Sequence, residues 1–163
     1  MQIIRDTREQ TPYLFTAYPV TVIPGTLNAG DYSIPGFTDA VAIERKELGD
    51  LLGCLTHDRE RFTRELERLR GYQSAALLIE APYSVIAAGR YRSRMKPEAA
   101  IQSLVSIMEH YRLPVFFAKD RNAGEQYVYD FLRHFIRHAQ QRYKALEQQN
   151  APEQTEQGAA RDE

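Results

Sequence analysis

Residues 39–46 read DAVAIERK, and this stretch decides the predicted fold around it. It combines apolar, β-branched residues with alternating polar ones, a pattern typical of a β-strand. Pro35-Gly36, just upstream, is a turn signal. Residues 31–35 (DYSIP) are therefore predicted to pair with the stretch as the first strand of a hairpin.

Successive side chains of a strand point to opposite faces of its sheet, which divides this strand into two sets. Val41 and Ile43 are apolar and mark one face as the core, and Arg45 falls on the same side. Glu44 and Lys46 are therefore expected to project together from the opposite face, near the end of the strand.

Two carboxylates and an ammonium group are predicted to converge there. Asp31 begins the partner strand, so its carboxylate is expected beside Glu44. Carboxylate oxygens suit Mg²⁺, which lowers the pKa of a bound water and stabilises charge on phosphate oxygens. Lys46 is placed to orient or help deprotonate that water, and Asp6 is a possible third carboxylate at the end of the first predicted strand. The group suits phosphodiester hydrolysis.

The remaining sequence predicts an α/β domain with a central mixed sheet flanked by α-helices, since strands come first and then alternate with helices. The predicted strands are 2–6, 20–24, 31–35, 39–46, 75–81 and 114–119, and the predicted helices are 47–55, 58–72, 82–89, 97–112 and about 124–145. The predicted apolar stripe of helix 97–112 consists of Ile101, Leu104, Val105 and Met108.

Charge is distributed unevenly along the 163 residues. The formal net charge of −1 excludes a protein that binds nucleic acid through uniform positive charge alone. Residues 146–163 contain five acidic residues and one arginine, so they carry −4, and residues 1–145 carry +3. Residues 1–145 are predicted to be one folded domain. Residues 146–163 are rich in Gln and Glu and are predicted to be a disordered acidic tail.

A longer motif surrounds the two carboxylates. Gly30-Asp31 is followed after twelve residues by Glu44-Arg45-Lys46 and then by Asp50. This GD…ERKxxxD pattern resembles the XPF-family structure-specific endonucleases of the restriction-endonuclease-like superfamily. Residues 3–9 (IIRDTRE) resemble the opening of that family's domain, and the resemblance extends over about residues 2–120.

The resemblance continues downstream of the motif, with one departure. Arg61-Phe62 looks like the family's arginine-hydrophobic stretch, and residues 77–80 (LLIE) look like the strand that follows it. Many members carry glutamine three positions after the phenylalanine, where this chain has Glu65. The role of that side chain is therefore open.

The resemblance implies a restriction-endonuclease-like fold and Mg²⁺- or Mn²⁺-dependent cleavage of branched DNA, such as flaps or forks, in DNA repair or recombination. The site residues that it implies are the metal ligands Asp31, Glu44 and Asp6 and the catalytic or motif residues Lys46, Arg45 and Asp50. Because strand alternation directs Arg45 away from Glu44, we expect Arg45 to form an ion pair with Asp50 or Glu9.

Positive charge gathers in one predicted loop. Residues 89–96 read GRYRSRMK, with four cations and one aromatic ring in eight residues. Such a loop suits phosphate contacts and stacking of Tyr91 on an unpaired base, and a solvated loop is the alternative. The full set of expected DNA-binding residues is Arg8, Arg61, Arg90, Tyr91, Arg92, Arg94 and Lys96.

Three function classes follow. The first is a metal-dependent nuclease acting on branched DNA. Many relatives carry helix-hairpin-helix elements that nothing in this sequence matches, so a homodimer or a partner chain is expected to supply further DNA contacts. The second is a non-catalytic DNA-binding subunit paired with an active nuclease, and the third is a restriction- or resolvase-type nuclease of the same superfamily.

The sequence also predicts a location. No apolar run is long enough to span a membrane, and the N-terminus lacks the apolar core of a signal peptide. Cys54 is the single cysteine, so an internal disulfide is excluded. The expected location is therefore the cytoplasm.

Overall fold

A computed structural model describes residues 1–150. Its strands are β1 (Gln2–Asp6), β2 (Thr21–Gly25), β3 (Tyr32–Ser33), β4 (Val41–Glu47), β5 (Ser74–Glu80) and β6 (Val115–Phe117). Its helices are α1 (Leu48–Leu55), α2 (Arg59–Arg70), α3 (Tyr83–Ala87), α4 (Pro97–Tyr111) and α5 (Arg121–Gln149). The strands form one mixed sheet in the order β2-β1-β3-β4-β5-β6, which confirms the predicted α/β class.

Strand pairing brings the C-terminal ends of β4 and β5 to one edge of the sheet. The predicted hairpin is confirmed, since β3 pairs antiparallel with β4 through Tyr32 and Ile43. Strand β4 runs parallel to β5, in a register that sets Glu47 opposite Glu80. Strands β4 and β5 therefore end side by side, and the last charged residues of both lie together.

Both faces of β4 are covered, and here the sequence-based expectation of one core face is wrong. Val41 and Ile43 pack in one cluster with residues of α5, as predicted. Ala42, on the other face, packs in a second cluster with residues of α1, α2 and α4. A strand in the middle of a six-stranded sheet with helices on both sides is buried on both faces. Glu44 consequently lies in the interior, where it is only 2% exposed.

Helix α4 buries a different stripe from the predicted one. Its buried residues are Ala100, Leu104 and Ile107. Val105 and Met108, which we expected in the core, are 46% and 38% exposed. Two parallel apolar stripes exist on this helix, one residue apart, and periodicity alone does not separate them.

Helix α5 is longer than predicted. It begins at Arg121, where the Asp120 side chain accepts a hydrogen bond from the Ala123 N–H at 2.9 Å. It ends at Gln149, so residues 146–149 are helical although they fall in the predicted tail. Asn150 follows the helix, and the rest of that tail, residues 151–163, lies outside the described residues. Among the helices of residues 1–150, none has both the length and the apolar character needed to cross a bilayer.

The turn before β3 depends on a glycine. Gly30 has a φ of +79°, and a Cβ there would lie 2.9 Å from the Ala42 Cβ. Gly30→Ala is expected to lower the free energy of unfolding by about 2–5 kcal/mol, because left-handed backbone and overpacking each cost on the order of 1–3 kcal/mol. Denaturant unfolding measures this loss.

The matched control is Gly36→Ala. Gly36 has a nearly equal φ of +80°, but nothing lies within 4 Å of an added Cβ. Gly36→Ala should therefore lower the free energy of unfolding only by the cost of the left-handed backbone, about 1–2 kcal/mol. Equal losses in the two variants would show that the close approach of Gly30 to β4 contributes nothing.

Candidate active site

Asp31 and Glu44 meet at the edge where β4 ends. The Asp31 N–H donates to the Ile43 carbonyl oxygen at 2.8 Å, and the Asp31 Oδ2 accepts from the Arg45 N–H at 2.7 Å. These two bonds hold the Asp31 side chain against β4. Because Ile43 and Arg45 flank Glu44 along β4, the structure places Asp31 beside Glu44, as expected.

Glu44 has one satisfied and one unsatisfied oxygen. Its Oε1 accepts from the Lys46 ammonium, whereas its Oε2 is buried without a hydrogen-bond partner. Burial, and then the charge of Asp31, raises the pKa of Glu44 well above its ordinary value. Burial likewise raises the pKa of Asp31 to about 7. A buried carboxylate beside a second, half-buried one is poorly stabilised as an anion unless positive charge is supplied.

Lys46 lies between β4 and α2. Its Nζ lies 5.6 Å from the centroid of the Phe62 ring and 4.0 Å from the Glu65 Oε2. Burial lowers the Lys46 pKa, but the charge and hydrogen bond of Glu44 outweigh that effect and raise it overall. Lys46 is therefore held as an ammonium between a strand carboxylate and a helix carboxylate.

Asp6 does not serve as a free third carboxylate in this arrangement. Its Oδ1 accepts from the Arg8 backbone N–H and from Arg8 Nε, both at 2.8 Å. Its Oδ2 accepts from Arg8 at 2.8 Å and from the Leu27 N–H at 2.7 Å. Burial opposes ionisation, but these bonds outweigh it and hold the pKa of Asp6 below its ordinary value. Asp6 therefore anchors the loop after β1, and its role as a metal ligand stays a prediction.

Arg45 is a buried structural cation. Its side chain is 3% exposed and lies 2.6 Å from Glu80, 2.9 Å from Glu47 and 3.2 Å from Glu9. The expected pair with Glu9 is present. Asp50 is not among the ion-pair partners of Arg45 in residues 1–150, which corrects the alternative pairing. Arg45 thus supports the floor of the site from the α5 side of the sheet.

The polar cleft above this floor collects much of the predicted site. Arg8 and Arg61 lie on its lining with side chains 67% and 75% exposed. Asp50, in the first turn of α1, is exposed on the same lining. The residues predicted from the motif that line the cleft are Asp31, Arg45, Lys46 and Asp50.

The basic loop is only partly as predicted. Its four cations, Arg90, Arg92, Arg94 and Lys96, are exposed, and within residues 1–150 none of them forms an ion pair. None of them lines the cleft. Tyr91 is half-buried, packs against the core and donates its hydroxyl hydrogen to the Met95 carbonyl oxygen at 3.1 Å. The ring of Tyr91 thus supports the fold of the loop, and its stacking on a base stays a prediction.

Sequence reasoning missed the role of Glu80 and of the loop after β1. Tyr13 donates its hydroxyl hydrogen to Glu80, and Thr11 accepts from Arg45 at 2.9 Å. Arg121 of α5 donates to the Thr11 and Pro12 carbonyl oxygens at 2.8 and 2.5 Å. The available signal was a single acidic residue, Glu80, at the end of an otherwise apolar strand beside the strand of Arg45.

The donors for a metal ion are few. Within residues 1–150, no group of three or more His, Cys, Asp or Glu side chains is arranged to hold a metal ion. The unpartnered Glu44 Oε2 and the adjacent Asp31 carboxylate remain as two acidic donors. One or two carboxylates, completed by water and phosphate, are a normal protein contribution to a Mg²⁺ site.

Comparison with known proteins places this geometry in a family. Residues 5–131 match the ERCC4 domain. The chain belongs to the ERCC4 domain family. It is 29% identical over 112 residues to the DNA repair endonuclease XPF of Mus musculus, and 31% identical over 125 residues to the 3'-flap repair endonuclease Xpf of Saccharolobus solfataricus. The matches cover 66% and 74% of this chain but only 12% and 50% of those relatives.

Solved structures support the fold. XPF from Aeropyrum pernix, alone and in complex with DNA, matches with TM-scores of 0.65 and 0.66 at 22% and 21% identity. The matches cover 82% and 83% of this ERCC4-family chain and 60% and 65% of the solved chains. The predicted XPF-family resemblance and restriction-endonuclease-like fold are confirmed.

The Arg45 network generates a stability prediction. Arg45→Met should lower the free energy of unfolding at pH 7 by about 3–5 kcal/mol, because it leaves buried carboxylates without their cation. Arg133→Met is the matched control. Arg133 forms an exposed pair with Asp130 at 3.1 Å, so its loss should stay within about 1 kcal/mol. A loss of that small size for Arg45→Met would contradict a supporting role.

The loss of unfolding free energy caused by Arg45→Met should be smaller at acidic pH than at pH 7. Burial opposes ionisation of Glu80, but hydrogen bonds from Arg45 and Tyr13 outweigh it and hold the pKa of Glu80 below the ordinary 4.5. A lowered carboxyl pKa adds stability above 4.5, and this stability is lost as the pH falls through the folded-state pKa. The difference between wild type and Arg45→Met should therefore narrow below pH 4.5.

Proposed function

We propose that this chain is a Mg²⁺- or Mn²⁺-dependent nuclease domain that cleaves phosphodiester bonds in branched DNA. The observation that carries the proposal is the buried, unpartnered Glu44 Oε2 beside Asp31. A buried polar atom without a partner costs about 1–3 kcal/mol and persists where function requires it. The donor chemistry fits a hard divalent cation.

Asp31 and Glu44 are the residues that would hold the cation. With both carboxylates ionised, Asp31, Glu44 and Lys46 give the site a net charge of −1, so a cation is attracted to it. A bound Mg²⁺ or Mn²⁺ would supply an acidified water and stabilise negative charge on the phosphate. We assign no third ligand from β1, because both oxygens of Asp6 already accept hydrogen bonds from Arg8 and Leu27.

Lys46 is the catalytic cation of the proposal. Its raised pKa keeps the proton on Nζ, so it donates hydrogen bonds and does not act as the base. From its place beside Glu44 it orients the attacking water and stabilises the charge that develops on the phosphate oxygens. Asp50 faces the same cleft and completes the motif at the rim.

Phosphate contacts are assigned to two groups of cations. Arg8 and Arg61 stand exposed on the cleft lining and are placed to receive the cleaved strand. The loop cations Arg92 and Arg94 lie outside the cleft and would extend the contact along the flanking duplex. Tyr91 holds that loop and is not a base-stacking residue in the proposal.

The substrate and partner follow from the relatives. One is described as a 3'-flap repair endonuclease, and a structural neighbour is XPF in complex with DNA. Branched DNA of the flap or fork type, in repair or recombination, is therefore the proposed substrate. A second copy or a different partner chain is proposed to complete DNA binding. Half-buried Phe131 and Tyr127 line a surface groove on α5 that offers apolar area for such a chain.

The nuclease proposal is tested with matched DNAs. Wild-type protein should cleave 3'-flap and fork DNA with Mg²⁺ or Mn²⁺ and should be inactive in EDTA. Asp31→Asn should lose activity by at least about 100-fold, since a lost metal ligand removes several kcal/mol of transition-state stabilisation. Asp39→Asn, an exposed aspartate outside the cleft lining, should retain wild-type activity.

The alternatives give different outcomes in that assay. Binding to branched DNA without cleavage by either metal would replace the proposal with a non-catalytic DNA-binding subunit. Cleavage of unbranched duplex at fixed sequences, or selective resolution of four-way junctions, would assign a restriction- or resolvase-type nuclease.

The loop assignment is tested by salt dependence. Arg92→Ala combined with Arg94→Ala should weaken DNA binding and reduce the slope of log K against log salt by about 2, one unit for each lost phosphate contact. Arg137→Ala combined with Arg142→Ala removes the same charge from exposed positions on α5. If both double variants change the slope equally, the loop has no specific contact with DNA.

A further inference from the structure

Glu65 is an acidic residue at the site that the motif does not explain. It lies on α2 in the same helical face as Phe62, one turn away. Its Oε2 is 4.0 Å from the Lys46 Nζ, and its side chain is 24% exposed. Glu65 therefore approaches the site from α2 on the side of Lys46.

The Lys46 ammonium is held from two sides. Glu44 contacts it from β4, and the Phe62 ring and Glu65 carboxylate approach it from α2. The contact with Glu44 is the shorter of the two and leads the charges that raise the Lys46 pKa. Glu65 is the second carboxylate within ion-pair distance of Lys46 in residues 1–150.

A cation bound at Asp31 and Glu44 would change how strongly Glu44 and Glu65 each attract the Lys46 ammonium. Glu44 would then share its negative charge with the cation, and the cation would repel the nearby Lys46 ammonium, because like charges a few Å apart interact strongly in a partly buried site. Without another anion, Lys46 would swing out of the cleft. Glu65 is the carboxylate positioned to prevent this from the helix side.

We propose that Glu65 is a positioning residue that retains the Lys46 ammonium over the cleft when Glu44 binds a divalent cation. The inference rests on the proposed function for that cation. Retention of Lys46 requires the negative charge of Glu65 as well as the shape of its side chain. Glutamine in its place would keep the hydrogen-bond acceptor and lose the charge, so it should retain Lys46 less well than glutamate and better than alanine.

The test measures the accessibility of Lys46 directly. Acetylation of lysine amines, followed by peptide mass spectrometry, reports each of the four lysines separately, and Lys96, Lys119 and Lys144 are exposed internal references. Wild type, Glu65→Gln, Glu65→Ala and Glu67→Gln are compared with Mg²⁺ and with EDTA. Glu67 is exposed on the same helix and forms no ion pair within residues 1–150, so its variant is the control.

The expected result is specific to one lysine and to the metal. Mg²⁺ should raise the acetylation rate of Lys46 severalfold in Glu65→Ala, less in Glu65→Gln, and not in wild type or Glu67→Gln. The three reference lysines should not change. Equal acetylation of Lys46 in all four proteins with Mg²⁺ would overturn the proposal.

Cleavage kinetics give the second readout. Glu65→Ala should lower kcat by about 10–100-fold and leave the KM for DNA within about twofold, since a lost positioning contact acts on the chemical step. Glu65→Gln should recover part of kcat. A change in KM alone, or no difference between Glu65→Ala and Glu67→Gln, would contradict a role through Lys46.

The two proposals fail in distinguishable ways. Wild-type protein that does not cleave DNA but shows the metal-dependent acetylation pattern overturns the nuclease and supports the positioning of Lys46. Wild-type protein that cleaves DNA, with Lys46 acetylated equally in every variant, overturns the positioning and supports the nuclease.

Discussion

Strand β4 ends in four consecutive ionisable residues, Glu44 to Glu47, while both of its faces are covered, and the rest of the site depends on how each charge is compensated. Arg45 points to the α5 side, where Glu80, Glu47 and Glu9 surround its guanidinium. Glu44 and Lys46 point to the other side, under α2. Burial of ions is unfavourable unless partners and hydrogen bonds are complete. On the α5 side they are nearly complete, whereas on the α2 side Glu44 keeps an unpartnered oxygen.

The two faces of β4 therefore differ in role: the α5 side stabilises the end of the strand, and the α2 side carries the proposed cation site. The cation on the α5 side ties together the end of β5, the loop after β1 and the start of α5, through Glu80, Thr11 and the contacts of Arg121 to that loop. That network holds the strand end rigidly in place. The carboxylates on the α2 side are arranged around an incomplete charge balance, which is the condition that a divalent cation relieves. A rigid floor beneath an unsatisfied site is what preorganised catalysis requires.

The sequence predicted the strands, the hairpin and the convergence of Asp31 with Glu44, because alternation and turn chemistry are local signals. It failed where the answer depended on distant elements. Val105 and Met108 were placed in the core, but α4 presents the adjacent stripe. The Glu9 partner of Arg45 was predicted, but its Glu80 partner was not, since Glu80 is 35 residues away and reaches Arg45 only through parallel strand pairing.

The central claim is that Asp31 and the free oxygen of Glu44 form a divalent-cation site. Anomalous diffraction from crystals soaked with Mn²⁺ tests it most directly, because the position of the ion is seen independently of any activity. The account predicts an anomalous peak between the Asp31 carboxylate and the Glu44 Oε2, at distances close to the 2.0–2.2 Å or so of oxygen ligands. A fully ordered site with no peak there, or with the ion bound only at other carboxylates, would contradict it.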